Sequence, residues 1–465
     1  MAIKTRHRPL WRHLMQALGG LVFGALIAVL LLAFAVWLQL RPVAGEWTAA
    51  VPLWHGDHAP RVRVSMPRLL QTATDPRFAR WLDQRSVATP IGRVRLQWQA
   101  EARSLTARCA PCHLRLAALG DRPLQLRSAE LVAHRDGDWR LRGHLASGAV
   151  VLPWQGQLSP TALQLHGELP DTPIAAVYAL FGTAIPELQR AQIDGQVSAT
   201  WQLQWPEGRG SISPRVEGFG VQGLQTEVLL NATLPQRCGA PGPVSPWLER
   251  ALIAAEDRRF FEHPGYDLPE LVASFEANQR AGSVRGGAST LTQQLAKQLY
   301  TGDERSAVRK LRELLYAVEM ERTLGKGRIL QLYLGLAPWG PGVCGAQGAA
   351  RHHLGKPAAR LEALEAAWLV SLLPSPLTTP PPVDRARMAV ILNGISGVGA
   401  RRHAHWLRVL PAFTPAPNRP TMADAARLPH GAPHASTRAP AGSSFQPVAG
   451  QPVAVRLRQS AAAAE

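Results

Sequence analysis

Three short segments bring together residues suited to acid–base and anion chemistry, all within about sixty positions of one another. The first begins Ala254-Ala255-Glu256-Asp257 and runs on through Phe260, Phe261, His263 and Gly265 to Asp267. It sets a carboxylate pair after an apolar turn and before an aromatic pair. A glutamate against apolar walls can serve as a general acid or base. The second runs from Arg285 through Ser289, Thr290, Thr292, Gln293 and Gln294 to Lys297. Its glycines let the backbone approach a ligand. Ser289 or Thr290 can cap the helix that follows, and a helix N-terminus favours anions. In that helix Leu291, Leu295 and Leu299 form an apolar stripe, with Gln293, Gln294 and Lys297 on another side. The third segment places Arg309 and Lys310 four and three residues before Glu313, on one helical face.

Singly, these read as an acidic helix end, an amphipathic helix and a surface ion pair. Jointly they offer two carboxylates, Glu256 and Glu313, beside cations and amides that suit a pyrophosphate. Lysine usage points the same way. The chain has five lysines among 51 basic residues, and Lys297, Lys310, Lys326 and Lys356 fall close together. Ammonium groups are the compact point charges found at phosphate sites.

The elements that must position these groups follow from the rest of the chain. Its 465 residues suggest two or three domains, and the net charge of +18 predicts an anionic partner. Lys4, Arg6, Arg8 and Arg12 precede a charge-free run, Ala17 to Leu40. About 20 apolar residues cross a bilayer, and positive charge before the span keeps that end in the cytoplasm. The run is longer than a signal-peptide core and ends without a small-x-small cleavage site, which favours an anchor. The remainder then lies outside the cytoplasm, so nucleic acid is not the expected partner, and no zinc-finger or RNA-binding signature is present. A sugar donor carried on a lipid pyrophosphate satisfies the charge, the compartment and the candidate residues together.

Residues 45–235 read as β-rich. Alternating runs such as Arg95–Gln99, Trp139–Arg142 and Val197–Leu203 are separated by turn formers. This segment carries no catalytic constellation and reads as a structural or protein-binding module. A Pro/Gly stretch, Cys238 to Pro246, marks a boundary. Residues 246–400 read as helical, with helices expected from about Ser306 to Leu324 and from Leu361 to Leu373. From 413 the chain is rich in Pro, Ala, Ser and Gly and is expected to be disordered. The four cysteines suit an oxidising compartment. Cys109-Ala-Pro-Cys112-His113 matches a haem-attachment motif in form, but its strand-like flanks favour a local Cys109–Cys112 disulfide. Cys238 and Cys344 remain as a pair by elimination.

Residues 250–385 resemble the glycosyltransferase domain of bacterial peptidoglycan polymerases, glycosyltransferase family 51, and most closely its monofunctional biosynthetic transglycosylases. The resemblance rests on five ordered motifs. They are Glu256-Asp257-x-x-Phe260-x-x-His263-x-Gly265-x-Asp267, then Gly287 to Lys297, then Arg309-Lys310-x-x-Glu313, then Ile329 to Leu334. The fifth runs from Gly345 to Ala350 and on through Leu354-Gly355-Lys356 and Glu365. It implies a lysozyme-like, mainly α-helical catalytic domain and does not cover the β-rich segment. With the anchor and the alternating runs read above, the expected whole is an α+β protein with an N-terminal transmembrane helix, a β-rich extracytoplasmic domain and that catalytic domain. The resemblance implies that Glu256 is the general base of an inverting transfer onto the acceptor's 4-hydroxyl. Glu313 would sit near the donor phosphates, with or without a divalent cation, Mg or Mn. Lys297, Arg309 and Lys310 would hold the pyrophosphate. Ser289, Thr292, Gln293 and Gln294 would bind sugar or phosphate. The implied partners are lipid II and the growing glycan chain; the anchor adds membrane lipids, and residues 45–235, read as a binding module, add cell-wall synthesis proteins as expected partners. The implied location is a bacterial inner membrane with the catalytic domain in the periplasm.

Some positions depart from the family pattern. Gly335 follows Leu334 where Asn is usual, Gln331 replaces Glu, and Gln298 replaces Asn. None of these removes a proposed catalytic group. The residues three before the five lysines are Met1, Gln294, Ala307, Thr323 and His353. No Ser-x-x-Lys nucleophile exists, which predicts no transpeptidase activity. Two alternatives compete: a lysozyme-like hydrolase, which leaves the cations around Arg309 and Lys310 unexplained, and a catalytically impaired scaffold of the same fold.

Overall fold

The structure, a computed structural model, describes residues 9–52, 60–114, 124–137, 139–233, 242–282, 288–302, 306–373 and 383–415. The disordered-tail expectation and Cys238 therefore lie almost wholly outside the described residues. Helix α1 spans Pro9–Leu40 as one continuous element. Its described side chains include Leu21, Phe23, Leu30, Leu31 and Phe34, all exposed. Among the described residues no helix is long and apolar enough to cross a membrane. Many side chains of α1 are not among them.

The chain forms two compact units. The first contains Met1–Leu114, Gln125–Thr172 and Ser198–Arg215. After a hairpin of Thr48–Pro52 with Arg61–Ser65 come two short helices, α2 (Met66–Ala73) and α3 (Pro76–Leu82). Each has a capping side chain, Ser65 and Asp75 respectively, and a proline in its first turn.

The nine strands of the main sheet are β1 (Ser86–Thr89), β2 (Gly92–Gln99), β3 (Ser104–Cys109), β4 (Ala129–Arg135), β5 (Arg140–Ser147), β6 (Val150–Leu158), β7 (Leu163–Pro173), β8 (Gln192–Trp205) and β9 (Arg209–Gln222). They neighbour one another in chain order, as a meander. Period-two alternation makes this sheet. In β6, Trp154, Gly156 and Leu158 are buried while Pro153, Gln155 and Gln157 are exposed. The β-rich reading of the runs at 95–99 and 197–203 holds, since they fall inside β2 and β8. Cys109 and Cys112 form the expected disulfide. Cys344 is also disulfide-bonded.

The second unit contains Pro173–Val197 and the described residues from Val216 onward. Its helices are α4 (Ile174–Ala179), α5 (Pro246–Glu256), α6 (Leu268–Ala281), α7 (Leu291–Ala296), α8 (Ala307–Thr323), α9 (Gly325–Leu336), α10 (Ala346–Leu354), α11 (Ala363–Ser371), α12 (Arg385–Gly394) and α13 (Ala400–Val409). The helices expected near 306–324 and 361–373 are α8 and α11. One core gathers Leu252, Phe260, Leu295, Leu315, Met320, Trp339 and Leu369, each with 0% exposure. Full burial of such side chains stabilises by roughly 1.5–3 kcal/mol apiece.

The unit boundary differs from the division at 235–246 suggested by composition. Ile185, Val221, Leu224 and Leu229 belong to the same core as α8 and α9. The physical reason is that β8 and β9 are long strands, and each contributes residues to both units. A period-two pattern read from sequence does not reveal which core its inward residues join.

Candidate active site

Glu256 is the last residue of α5, and two donors from distant elements fix its carboxylate. Gln294 of α7 donates from Nε2 to Oε2 at 3.2 Å. Arg387 of α12 donates from Nη2 to Oε1 at 3.1 Å. Gln294 is itself oriented by Tyr333 of α9, whose hydroxyl donates to Oε1 at 2.8 Å. Burial, with Glu256 nearby, pushes the Tyr333 phenol well above its ordinary range, so it stays a donor. The Glu256 side chain keeps 17% exposure. A carboxylate has about four lone-pair sites, so two bonds leave acceptor capacity facing solvent.

The neighbouring Asp257 does different work. Its carboxylate is buried and receives His263 Nε2 at 2.9 Å and the Leu291 amide at 2.9 Å. His263 Nδ1 accepts from the Gly265 amide at 3.2 Å, which makes Nε2 the protonated nitrogen facing Asp257. Asp257 thus ties the end of α5 to the start of α7. Gly265 has φ +97°, and an added Cβ would lie 2.9 Å from the Ala317 carbonyl oxygen of α8. Only glycine fits that combination of backbone and contact. Asp267 caps α6 and is gripped by Arg259. Arg259's hydrogen bond outweighs burial and holds the Asp267 carboxyl below its ordinary range.

Thr290 is the N-cap of α7 and forms a reciprocal capping box with Gln293. Three of the backbone amides at the start of α7, which sequence suggested for phosphate, are already taken within the protein. The Thr290 amide donates to Gln293, the Leu291 amide to Asp257 and the Gln293 amide to Thr290. Thr292 is fully buried, with its hydroxyl on Glu321 at 2.5 Å, and Gln293 is 4% exposed in its capping box. Neither faces the Glu256 carboxylate. Gln294 does, and Ser289 accepts from Lys310 Nζ at 2.5 Å.

On α8, Glu313 has 0% exposure and is paired with both Arg309 and Lys310, Lys310 at 2.8 Å. The face expected from spacing is therefore formed. Gln294 meets Glu256, and Ser289, five residues earlier, meets Lys310, so one stretch of chain reaches both catalytic candidates' groups. The Nε atoms of Arg309 and Arg387 are buried without a hydrogen-bond partner. Such donors are expensive to leave unpaired. Lys297 opens a π-helical turn, Lys297–Thr301, that follows α7 directly.

A divalent cation at Glu313 does not fit these residues. The single carboxylate is already shared by two cations, and the described residues contain no group of three or more His, Cys, Asp or Glu that could hold a metal. The lysine cluster also divides. Lys326 donates to the His263 carbonyl and to Glu321 and lies over the Phe260 ring, while Lys356 pairs with Glu365 at 2.6 Å. These two lysines brace the domain. Arg387 and Tyr333 are the site residues that sequence reasoning missed. Arg387 stands 131 residues from Glu256 and belongs to no quoted motif, so no spacing could mark it. A groove of about 790 Å³ on the β-sheet lies wholly in the first unit, whereas every candidate site residue lies in the second.

A mainly helical unit that holds a partly solvated carboxylate and a buried cation–carboxylate cluster has the parts of a phosphate-releasing group transferase. The comparisons with known proteins agree. The Transglycosylase family profile matches residues 236–395. A biosynthetic peptidoglycan transglycosylase of Aeromonas hydrophila is 43% identical over 160 residues, covering 34% of this chain and 68% of that protein. Proteins of the same description from Pseudomonas aeruginosa and Laribacter hongkongensis are 47% and 42% identical. Those matches cover 31% and 29% of this chain, and 63% and 59% of the relatives. The chain belongs to the transglycosylase family.

Proposed function

We propose that the protein is a peptidoglycan glycosyltransferase that polymerises lipid II, the lipid-linked disaccharide-peptide precursor, into glycan strands. The observation that carries this reading is that one stretch of chain, 289–294, reaches two charged groups: Gln294 holds Glu256, and Ser289 meets Lys310, which with Arg309 is paired to Glu313. The first group supplies a base and the second phosphate-binding charge.

In the proposed step the acceptor's 4-hydroxyl oxygen bonds to the donor's anomeric carbon. The bond from that carbon to the pyrophosphate oxygen breaks, and the hydroxyl proton passes to Glu256. Polyprenyl pyrophosphate leaves and the configuration inverts. Gln294 and Arg387 aim the carboxylate. Lys310, Arg309 and Lys297 take up the charge growing on the leaving group, with Ser289 beside them. Thr292 and Gln293 act by shaping α7. The wholly family-based alternative of a cation at Glu313 adds nothing that Arg309 and Lys310 do not already supply.

The same reading places the protein in a bacterial inner membrane through α1, with the catalytic unit in the periplasm. Support comes from the charge-free run Ala17–Leu40, from the continuity of α1 and from its exposed apolar side chains. Cell-wall synthesis proteins are the proposed partners of the β-rich unit. The test is incubation of the detergent-solubilised protein with labelled lipid II. The expected product is a ladder of glycan polymer that muramidase digests. A folded protein that yields no polymer would favour the scaffold alternative.

A further inference from the structure

We propose that Glu187 is a positioning residue for the transfer reaction, acting through Arg312 to set the rotation of α8. The inference rests on the reading of α8 as the helix that handles the donor pyrophosphate.

Three faces of α8 do three jobs. Arg309, Lys310 and Glu313 form the site face. Leu315 and Val318 enter the core. The remaining stripe, Arg312, Tyr316, Glu319 and Thr323, has spacing four, three and four, which runs straight down a helix. Every member of that stripe is taken by residues 173–232, a stretch that precedes the family match at 236. Arg312 donates three bonds to Glu187, two from Nε at 2.9 Å and one from Nη2 at 2.8 Å. Arg190 donates to the Tyr316 hydroxyl at 3.2 Å. The Leu224 amide donates to both oxygens of Glu319 at 2.9 and 3.0 Å. The Thr226 and Thr323 hydroxyls meet at 2.8 Å. The Tyr178 hydroxyl donates to the Leu311 carbonyl at 3.1 Å.

Glu187 makes the most bonds of these grips, and its partner Arg312 adjoins Glu313 in the chain. Glu187 is 3% exposed, and Ile185 beside it is 1% exposed, so the anchor itself is fixed. Bidentate guanidinium–carboxylate pairing defines direction as well as distance. Arg312 precedes Glu313 in the chain, so a turn of the helix that releases Arg312 also swings Glu313, Arg309 and Lys310. Glu187 touches none of the site residues. Its effect passes through the helix alone.

The test is a double-mutant cycle in the full-length protein, with kcat and KM measured on labelled lipid II well below each variant's melting temperature. Glu187→Ala and Arg312→Ala should each lower kcat by about tenfold, the scale of a small misplacement at a reacting centre. The double variant should fall no further than either single one. Glu187→Gln, which keeps shape and one acceptor, should fall between wild type and Glu187→Ala, and it serves as the folded variant if alanine unfolds the chain. Wild-type kcat in folded Glu187→Ala or Glu187→Gln, or additive losses in the double variant, would overturn the proposal. Absence of polymer from the wild type would overturn the underlying reading and this one with it.

Discussion

Arg387 shows how a single residue completes a site across the fold. Its guanidinium is held on Glu256, and its Nε is buried and unpaired. Arg387→Met should lower polymerisation by about tenfold or more while leaving the melting temperature within a few degrees, because the lost contact orients a group that must meet its partner closely. Turnover and thermal unfolding measured on the same preparation check both halves. Asp267 offers a test of a different kind. Its carboxyl is held below its ordinary range by Arg259, so its contribution is present above the unfolded carboxylate value, about 3.9. That contribution is lost as pH falls through the lower folded value. Asp267→Asn should therefore destabilise at pH 7, with the gap in melting temperature from wild type closing as pH drops below about 4. A gap that stays constant with pH would mean that the cap alone, and not the charge, is at work. At this scale the sequence marked Glu256, Gln294, Arg309, Lys310 and Glu313 because local motifs hold them. It could not mark Arg387, whose partner is brought near only by the packing of α5 against α11 and α12.

The helices decide which motif residues face the cleft. Thr292 and Gln293 sit in the second motif, yet on α7 their side chains turn inward to Glu321 and Thr290. Motif membership in the sequence could not separate residues that hold the helix from residues that face the ligand. Glu313 is the pivot of α8, with no exposure and two cationic partners. Removing one partner of a buried pair costs about 3–5 kcal/mol, since the opposite charge is left without compensation. Glu313→Gln should therefore lose both turnover and several degrees of thermal stability, whereas Glu256→Gln, on a partly solvated carboxylate, should lose turnover alone. Comparing the two variants by calorimetry separates the structural carboxylate from the chemical one. Equal losses of stability would contradict that division.

For the whole molecule, the helical unit is larger than the stretch the family shares. Residues 173–232 fill its core with Ile185, Val221 and Leu224 and occupy the polar stripe of α8. A chain beginning at 236 would bare Arg312, Glu319 and the apolar side chains beneath them. It should unfold at a lower temperature than one beginning at Thr172, by about the several degrees that a few kcal/mol represent in a domain of this size. The existence of a β-rich segment and a helical one was legible from periodicity, and the local disulfide from the cysteine spacing. The seam between the units was not, because a Pro/Gly stretch signals where a chain bends, not where its side chains pack. The central claim remains a statement about one carboxylate. The most direct measurement is the rate of polymer formation from labelled lipid II by wild type and Glu256→Gln under identical conditions. The account predicts polymer from the wild type and a fall of about 10²-fold or more in the variant, the typical value of a positioned base. A variant that polymerises within a few-fold of wild type would contradict it.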